Sequence, residues 1–231
     1  YTNESFIKTL EGYDKDHIKK NIIKINTTDS FGKSVILEKD ENLSKYNREK
    51  IRELKPVFVV NGTITAANSS PISDGASMLI LMSKKKAKEL KINAIAEIKA
   101  INDASNKPKW FTTAPSKSIN ELLSLSNKKI DDIDLFEINE AFATVALANM
   151  KILGLKRDMI NIYGGAVAMG HPLGCSGARI ISALIHNLIQ EEKSTGIASI
   201  CNGGGGSTSM MINTIWWNLG FVILALFLWE R

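Results

Sequence analysis

Apolar and polar positions follow two rhythms along the second half of this chain. The runs Asp134–Ile138 (DLFEI) and Gly196–Cys201 (GIASIC) are short and almost continuously apolar, which fits buried strands better than helices. Between them, Ser116–Leu125, Glu140–Leu153 and Ser176–Gln190 repeat apolar residues at three- and four-residue intervals, the stripe of a helix resting on a core. Strands are also expected at Ile92–Ile101 and Ser207–Asn213. Such alternation predicts a mixed α/β layered domain.

The first half is less regular. Residues 1–55 are lysine-rich and polar; they predict a loop-rich region with one strand at Asn21–Asn26 (NIIKIN) and a charged stretch at Glu38–Lys55. From Pro56 a β-branched run gives way to small turn residues, and then Ala76–Leu90 (ASMLILMSKKKAKEL) predicts a helix of about four turns. Its expected N-cap is Ser73 or Asp74, with Lys84, Lys85, Lys86 and Lys88 near the C-terminal end, where the macrodipole favours cations. Met78–Met82 is expected in the core, since apolar stripes on helices usually are. The closing run at 215–229, IWWNLGFVILALFLW, is apolar but shorter than the roughly 20 residues that span a bilayer. It ranks first as a gene-assignment artefact, second as an interfacial or partner-docking helix and last as a membrane span.

Composition narrows the choice of partner. Of 231 residues 44% are hydrophobic, enough for a substantial core, and 29 basic against 24 acidic residues leave a formal charge of +5. This mixed excess suits a phosphate-bearing small molecule. The 7% aromatic content shows no ring-and-basic interleaving, so nucleic acid is not expected. Cys175 and Cys201 are the only cysteines, too few for a disulfide framework or a paired CxxC zinc site, which implies a reducing compartment. The chain opens at Tyr1 with no targeting-like segment, so its native N-terminus is expected to lie further upstream.

Three motifs carry candidate chemistry: NEAF at Asn139–Phe142, GGAVAMGHPLGCSGAR at Gly164–Arg179 and CNGGGG at Cys201–Gly206. Each sets one reactive or hydrogen-bonding side chain, Asn139, His171 or Cys201, after a predicted strand or in a glycine-rich turn, where α/β folds place their sites. An imidazole, a carboxamide, a thiol and glycine amides suit proton transfer and stabilisation of a developing oxyanion. Each has a plainer reading: a lone histidine or cysteine is more often a core group, and Asn139 could cap the helix beginning near Glu140. Glu140 reads as structural, and His17 and His186, lacking such flanks, as surface residues.

Taken together and in this order, with GTITAANSSPISDGAS as a fourth block, the motifs resemble those of the thiolases, and ASICNGGGGSTSM resembles the mitochondrial acetoacetyl-CoA branch. The likeness runs from about Ser5 to about Ile215. It implies an acyltransferase that forms or cleaves a carbon–carbon bond beside a coenzyme A thioester, in ketone-body and fatty-acid metabolism, as a mitochondrial homo-oligomer. It implies a thiolase-like fold with a loop-domain remnant at 1–72, an N-terminal-domain remnant at 73–92, a complete C-terminal domain at 93–215 and a tail at 216–231 outside the pattern. The N-terminal domain is thus expected to be mostly missing, and with it the nucleophilic cysteine that is acylated.

Residue by residue, the resemblance gives His171 and a water held by Asn139 to one oxyanion hole, Cys201 to acid/base work at the α-carbon, and the Gly203 amide to a second oxyanion hole. Cys175 falls where the family places various small or apolar residues and reads as packing. Ser70 and Phe58 match coenzyme A contacts, and Lys45 and Lys50 lie where the family meets the ribose phosphate. Ala66, Ala67, Ser69 and Val167 match potassium-binding carbonyls, while Phe6 stands where the ion's tyrosine would be. A truncated, non-catalytic protein that binds coenzyme A or a subunit is the alternative. Ketoacyl synthases fit less well, since they use two histidines where this chain has His171 and Cys201.

Overall fold

A computed structural model describes residues 1–215. The expectations placed on 216–231 lie outside them. In chain order the elements are α1 (Thr2–Asp14), the hairpin β1 (Ile25–Thr28) and β2 (Ser34–Leu37), α2 (Lys84–Glu89), β3 (Ala96–Ser105), α3 (Ala114–Leu125), β4 (Leu135–Ile138), α4 (Ala143–Leu153), α5 (Ala166–Met169), α6 (Ser176–Gln190), β5 (Thr195–Cys201) and β6 (Gly206–Thr214).

Four strands form one mixed sheet in the order β3-β6-β5-β4, with β4 and β5 parallel and the other pairs antiparallel. Strand β4 is buried at every position, which explains why its sequence reads as an unbroken apolar run. Its side chains alternate between two cores. Phe136 and Ile138 join Ile119, Leu122 and Val145 on the face covered by α3 and α4. Leu135 joins Ile180, Leu184 and Leu188 of α6 on the other. Apolar positions at 180, 184, 185 and 188 give α6 its buried stripe. A third cluster joins Phe6, Tyr13 and Ile18 to Leu43, Val167 and Ala168, packing α1 against α5.

The second-half elements fall within a few residues of their expected bounds. Helix α4 begins at Ala143 rather than Glu140 because Asn139–Phe142 forms an irregular turn; Asn139 therefore does not cap it. The first half departs more. Helix α1 breaks the expected loop-rich region, since its buried stripe, Ser5, Phe6, Thr9, Gly12 and Tyr13, is built largely from small polar residues that carry little hydropathy. The strand expected at Asn21–Asn26 starts at Ile25, after a 3-10 turn.

The helix expected over Ala76–Leu90 shrinks to Lys84–Glu89. Its cap is Ser83, whose hydroxyl accepts from the Lys86 N–H at 3.1 Å, rather than Ser73 or Asp74. Residues 76–82 contain no helix, and Ile80 and Leu81 are 65% and 70% exposed rather than in the core. A continuous apolar run does not distinguish helix from strand, and here Leu79–Met82 line an open groove with Ala96–Ile98 of β3 and Ile181 and Ile185 of α6. His17 and His186 are half-buried rather than on the surface: His17 stacks on Tyr163, and His186 meets the Ser182 carbonyl oxygen at 2.9 Å. Among the described residues no helix is long and apolar enough to cross a membrane.

Candidate active site

Because β4 and β5 run in parallel, their C-terminal ends emerge side by side. Ile138 pairs with Ser199, and the Asn139 N–H donates to the Ser199 carbonyl at 2.9 Å, so Asn139 leaves the sheet beside the last residues of β5, Ile200 and Cys201. From here the chain turns through NEAF, and the next residue, Glu140, goes inward. Its buried carboxylate accepts from Tyr1 Oη (2.6 Å), Ser5 Oγ (2.8 Å), Asn161 Nδ2 (2.9 Å) and the Val167 N–H (3.1 Å). It ties α1 and the glycine-rich loop to the sheet, which agrees with its structural reading. A Cβ at Gly165 would fall 2.5 Å from that carboxyl, so the loop approaches as closely as it does only because residue 165 is glycine.

The loop then delivers His171. Gly170 sits at φ +107°, where a side chain is strained, and a Cβ there would meet Ser73 Oγ at 2.1 Å. His171 N–H donates to the Pro71 carbonyl at 3.0 Å. Its Nε2 lies 3.1 Å from Asn139 Nδ2, and its Nδ1 lies 2.6 Å from Ser176 Oγ. Arg179 Nη2 donates to Asn139 Oδ1 at 3.1 Å. Burial first, and the Arg179 charge second, hold the His171 imidazole below its usual pKa, so the neutral ring is favoured at neutral pH.

Cys201 ends β5, is 9% exposed and packs with the α3/α4 core. Burial pushes its thiol up to about 11, so it stands protonated at neutral pH and suits a proton donor better than a standing thiolate. After it, Asn202 arranges the glycine run. Its Oδ1 accepts from the N–H groups of Gly204 (3.0 Å) and Gly206 (3.2 Å), and its carbonyl from that of Gly205 (3.0 Å). The Gly203 N–H has no hydrogen-bond partner among the described residues.

Residues 69–73 thread between the two turns. Ser70 donates both N–H (3.1 Å) and Oγ (3.0 Å) to the Ala141 carbonyl. Phe58, 70% exposed, stands edge-on to Phe142 at 6.1 Å. Ser70 and Phe58 therefore flank the NEAF turn. Lys45, Lys50, Ala66, Ala67, Ser69 and Val167, which the resemblance divides between a phosphate and an ion, instead line one pocket of about 300 Å³. No carboxylate is among its lining residues, Phe6 offers no hydroxyl, and Asn42 Nδ2 already donates to the Val167 carbonyl at 3.2 Å. The two lysines suit an anion, while the backbone carbonyls and the Tyr46 hydroxyl are of the kind that hold a monovalent cation. Among the described residues no three His, Cys, Asp or Glu side chains gather as a metal site.

Cys175 is half-buried and lines a separate cavity of about 90 Å³ on the α6 side with Asp40, Glu137 and Arg179, and burial raises its thiol. Sequence reasoning missed Ser176, Arg179 and Asn202. The first two sit in the GHPLGCSGAR motif as polar residues at the buried start of a helix, and the third is an Asn before glycine, a signature of side-chain-closed turns.

Comparison with known proteins identifies the family. A family model described as the thiolase C-terminal domain matches residues 92–214, and one described as the thiolase N-terminal domain matches 2–85. The second match does not support an N-terminal domain mostly missing from the chain. Acetyl-CoA acetyltransferase 2 of Arabidopsis thaliana is 41% identical over 217 residues, covering 93% of this chain and 54% of the relative. The chain thus spans about half the length of the curated relatives it matches. The crystal structure of the Bacillus anthracis acetyl-CoA acetyltransferase superposes with a TM-score of 0.88 at 37% identity, over 93% of this chain and 54% of that one. Acat5 thiolase from Ascaris suum, solved in complex with coenzyme A, gives 0.82 at 35% identity over 93% and 55%.

Proposed function

The chain belongs to the thiolase family, and from that premise we propose that it supplies half the active site of an acetyl-CoA C-acetyltransferase whose acylated cysteine lies upstream of these residues. The observation that carries this reading is the meeting of Asn139 and His171, 32 residues apart in sequence, at 3.1 Å beside the end of β5. In the cleavage direction the upstream thiolate attacks the ketone carbon of acetoacetyl-CoA. The bond between that carbon and the α-carbon breaks, and its electron pair becomes the enolate of acetyl-CoA. His171 and a water on Asn139 donate to the enolate oxygen, and the Cys201 thiol gives its proton to the α-carbon. A second coenzyme A thiol then gives its proton to the Cys201 thiolate and takes the acetyl group, and the upstream cysteine leaves as the thiolate it began as. The Gly203 N–H donates to the oxyanion formed at that cysteine's acyl carbon.

In the same proposal Ser70 and Phe58 meet the pantetheine arm, and Lys45 and Lys50 the phosphate end. Support comes from their positions beside the NEAF turn and in the carboxylate-free pocket. The mitochondrial compartment and a homo-oligomeric state belong to the proposal through family resemblance. Exposure of Met78, Ile80 and Leu81 favours a second reading, a non-catalytic chain that binds coenzyme A or a partner subunit. The test is thiolysis of acetoacetyl-CoA by this chain completed with a nucleophile-bearing N-terminal segment. Turnover that collapses in Cys201→Ala is expected; unchanged turnover removes Cys201 from its role, and no turnover in the unsubstituted chain favours the second reading.

A further inference from the structure

One line of hydrogen bonds through the site has its direction fixed at both ends. At one end stands Arg179, whose guanidinium can only donate; its bond to Asn139 therefore requires Oδ1 on that side and turns the Asn139 NH2 toward His171. Nδ2 can only donate, so His171 Nε2 must accept at 3.1 Å. At the other end stands the Pro172 carbonyl, which can only accept, and Ser176 Oγ donates to it at 2.9 Å. The Ser176 oxygen, its proton thus committed, accepts from His171 Nδ1 at 2.6 Å. Reasoning inward from either end gives the same answer: a neutral His171 with its proton on Nδ1. A histidine side chain free in water prefers the other form.

We propose that Ser176 and Arg179, one turn apart at the start of α6, are positioning residues that hold His171 as the Nδ1–H tautomer and the Asn139 amide toward it in the resting site. The Ser176 hydroxyl acts further as the switch that releases the ring. This deepens the function proposed above and rests on it only for what the ring does next. To donate to a thioester oxygen, the ring must carry its proton on Nε2. One proton leaves Nδ1 and one arrives at Nε2 through solvent, with no change of net charge, while the Ser176 O–H turns from Pro172 to donate to Nδ1. The Pro172 carbonyl is not stranded by that turn, since it also accepts the N–H groups of Cys175 and Ser176, both at 3.0 Å. Arg179 keeps Asn139 Oδ1, leaving Nδ2 free to hold a water once the ring no longer accepts from it.

The first arm of the test is 15N NMR of the histidine rings in the whole 231-residue chain, with His17→Gln and His186→Gln assigning the three signals. The unliganded chain is expected to show His171 chiefly as Nδ1–H. Arg179→Met should shift it toward Nε2–H, and Arg179→Lys, which retains a donor for Asn139, should keep the original form. A merely structural arginine would give the same spectrum in both variants. An Nε2–H ring in the unsubstituted chain overturns the proposal, as does an Arg179→Met ring unchanged in a folded protein. Should Arg179→Met fail to fold, the unsubstituted spectrum and Ser176→Ala, expected to lose the Nδ1–H form, decide alone. In the completed enzyme Ser176→Ala should lower kcat about tenfold, the worth of one hydrogen bond, with KM near its original value and recovery in Ser176→Thr. Unchanged kcat overturns the switch. The NMR arm needs no turnover, so an inactive enzyme with an Nδ1–H ring would sink the function and leave the resting arrangement standing.

Discussion

Two stretches of similar hydrophobicity meet different fates. In β4, α6 and β5 the apolar residues disappear into two cores, and Leu184 and Ile197 are fully buried. Between Pro56 and Met82 they remain at the surface: Val60, Ile72, Ile80 and Leu81 are each at least 65% exposed. The difference lies in neighbours rather than composition. The first stretch has a sheet with a layer on each face, while the second is largely irregular chain that touches the site turns through Ser70 and Pro71 but leaves these side chains open. Of the proposed reacting groups, Asn139 and Cys201 stand at the ends of β4 and β5, and His171 precedes α6 with its N–H held on Pro71. Proposed substrate contacts such as Phe58 hang from the open stretch. Precise geometry needs a rigid support, and a surface awaiting a ligand or partner need not have one.

The sharpest way to break this comparison is to truncate one leucine in each stretch. Leu184→Ala should cost about 2–5 kcal/mol in denaturant unfolding, because it leaves a cavity beneath Gly196, which its side chain closely approaches. Leu81→Ala should stay within about 0.5 kcal/mol, as exposed substitutions usually do. Equal costs would mean that the open stretch is covered after all.

A smaller effect should appear in the pH dependence of stability. Burial, partly opposed by the Arg179 charge, pushes the Glu137 carboxyl up to about 8 from an ordinary 4.5. The folded chain therefore keeps a proton that the unfolded chain gives up between these values. The stability this provides is fully present below about 4.5 and is lost as pH rises through about 8. Glu137→Gln should flatten that part of the profile, narrowing the gap between thermal midpoints at pH 5 and pH 9. Smaller again is a difference between the two thiols. Cys175, half-buried, should be alkylated before Cys201, which is more deeply buried and whose thiol stands near 11. Mass spectrometry of the modified chain after brief iodoacetamide treatment reads the order directly.

The covered stretch was legible in the sequence because its burial is written in side-chain period: α6 falls on its expected bounds, and β4 and β5 fall within one residue of theirs. The positions of Asn139 and His171 followed from their motifs. Helix α1 was not legible, since Ser5, Thr9 and Gly12 bury small or polar surfaces whose partners, Glu140, Tyr163 and Gly164, lie more than 130 residues away. Nor was Ala76–Met82, where an apolar run is compatible with either a helix or an extended strand, and only neighbours decide. Ser176 and Arg179 escaped because their importance is directional: which atom donates to which emerges only when the helix start, the strand end and the glycine-rich loop converge.

The central claim is that Asn139 and His171, brought together at the end of the sheet, stabilise charge on a thioester oxygen. Its most direct test is kcat for acetoacetyl-CoA thiolysis in the chain completed with a nucleophile-bearing segment, comparing His171→Ala with the unsubstituted protein at equal folded concentration. The account predicts a fall of about 100- to 1,000-fold, the usual result of removing one oxyanion donor. A kcat within about threefold of the unsubstituted value, far below the loss such a donor entails, would contradict it.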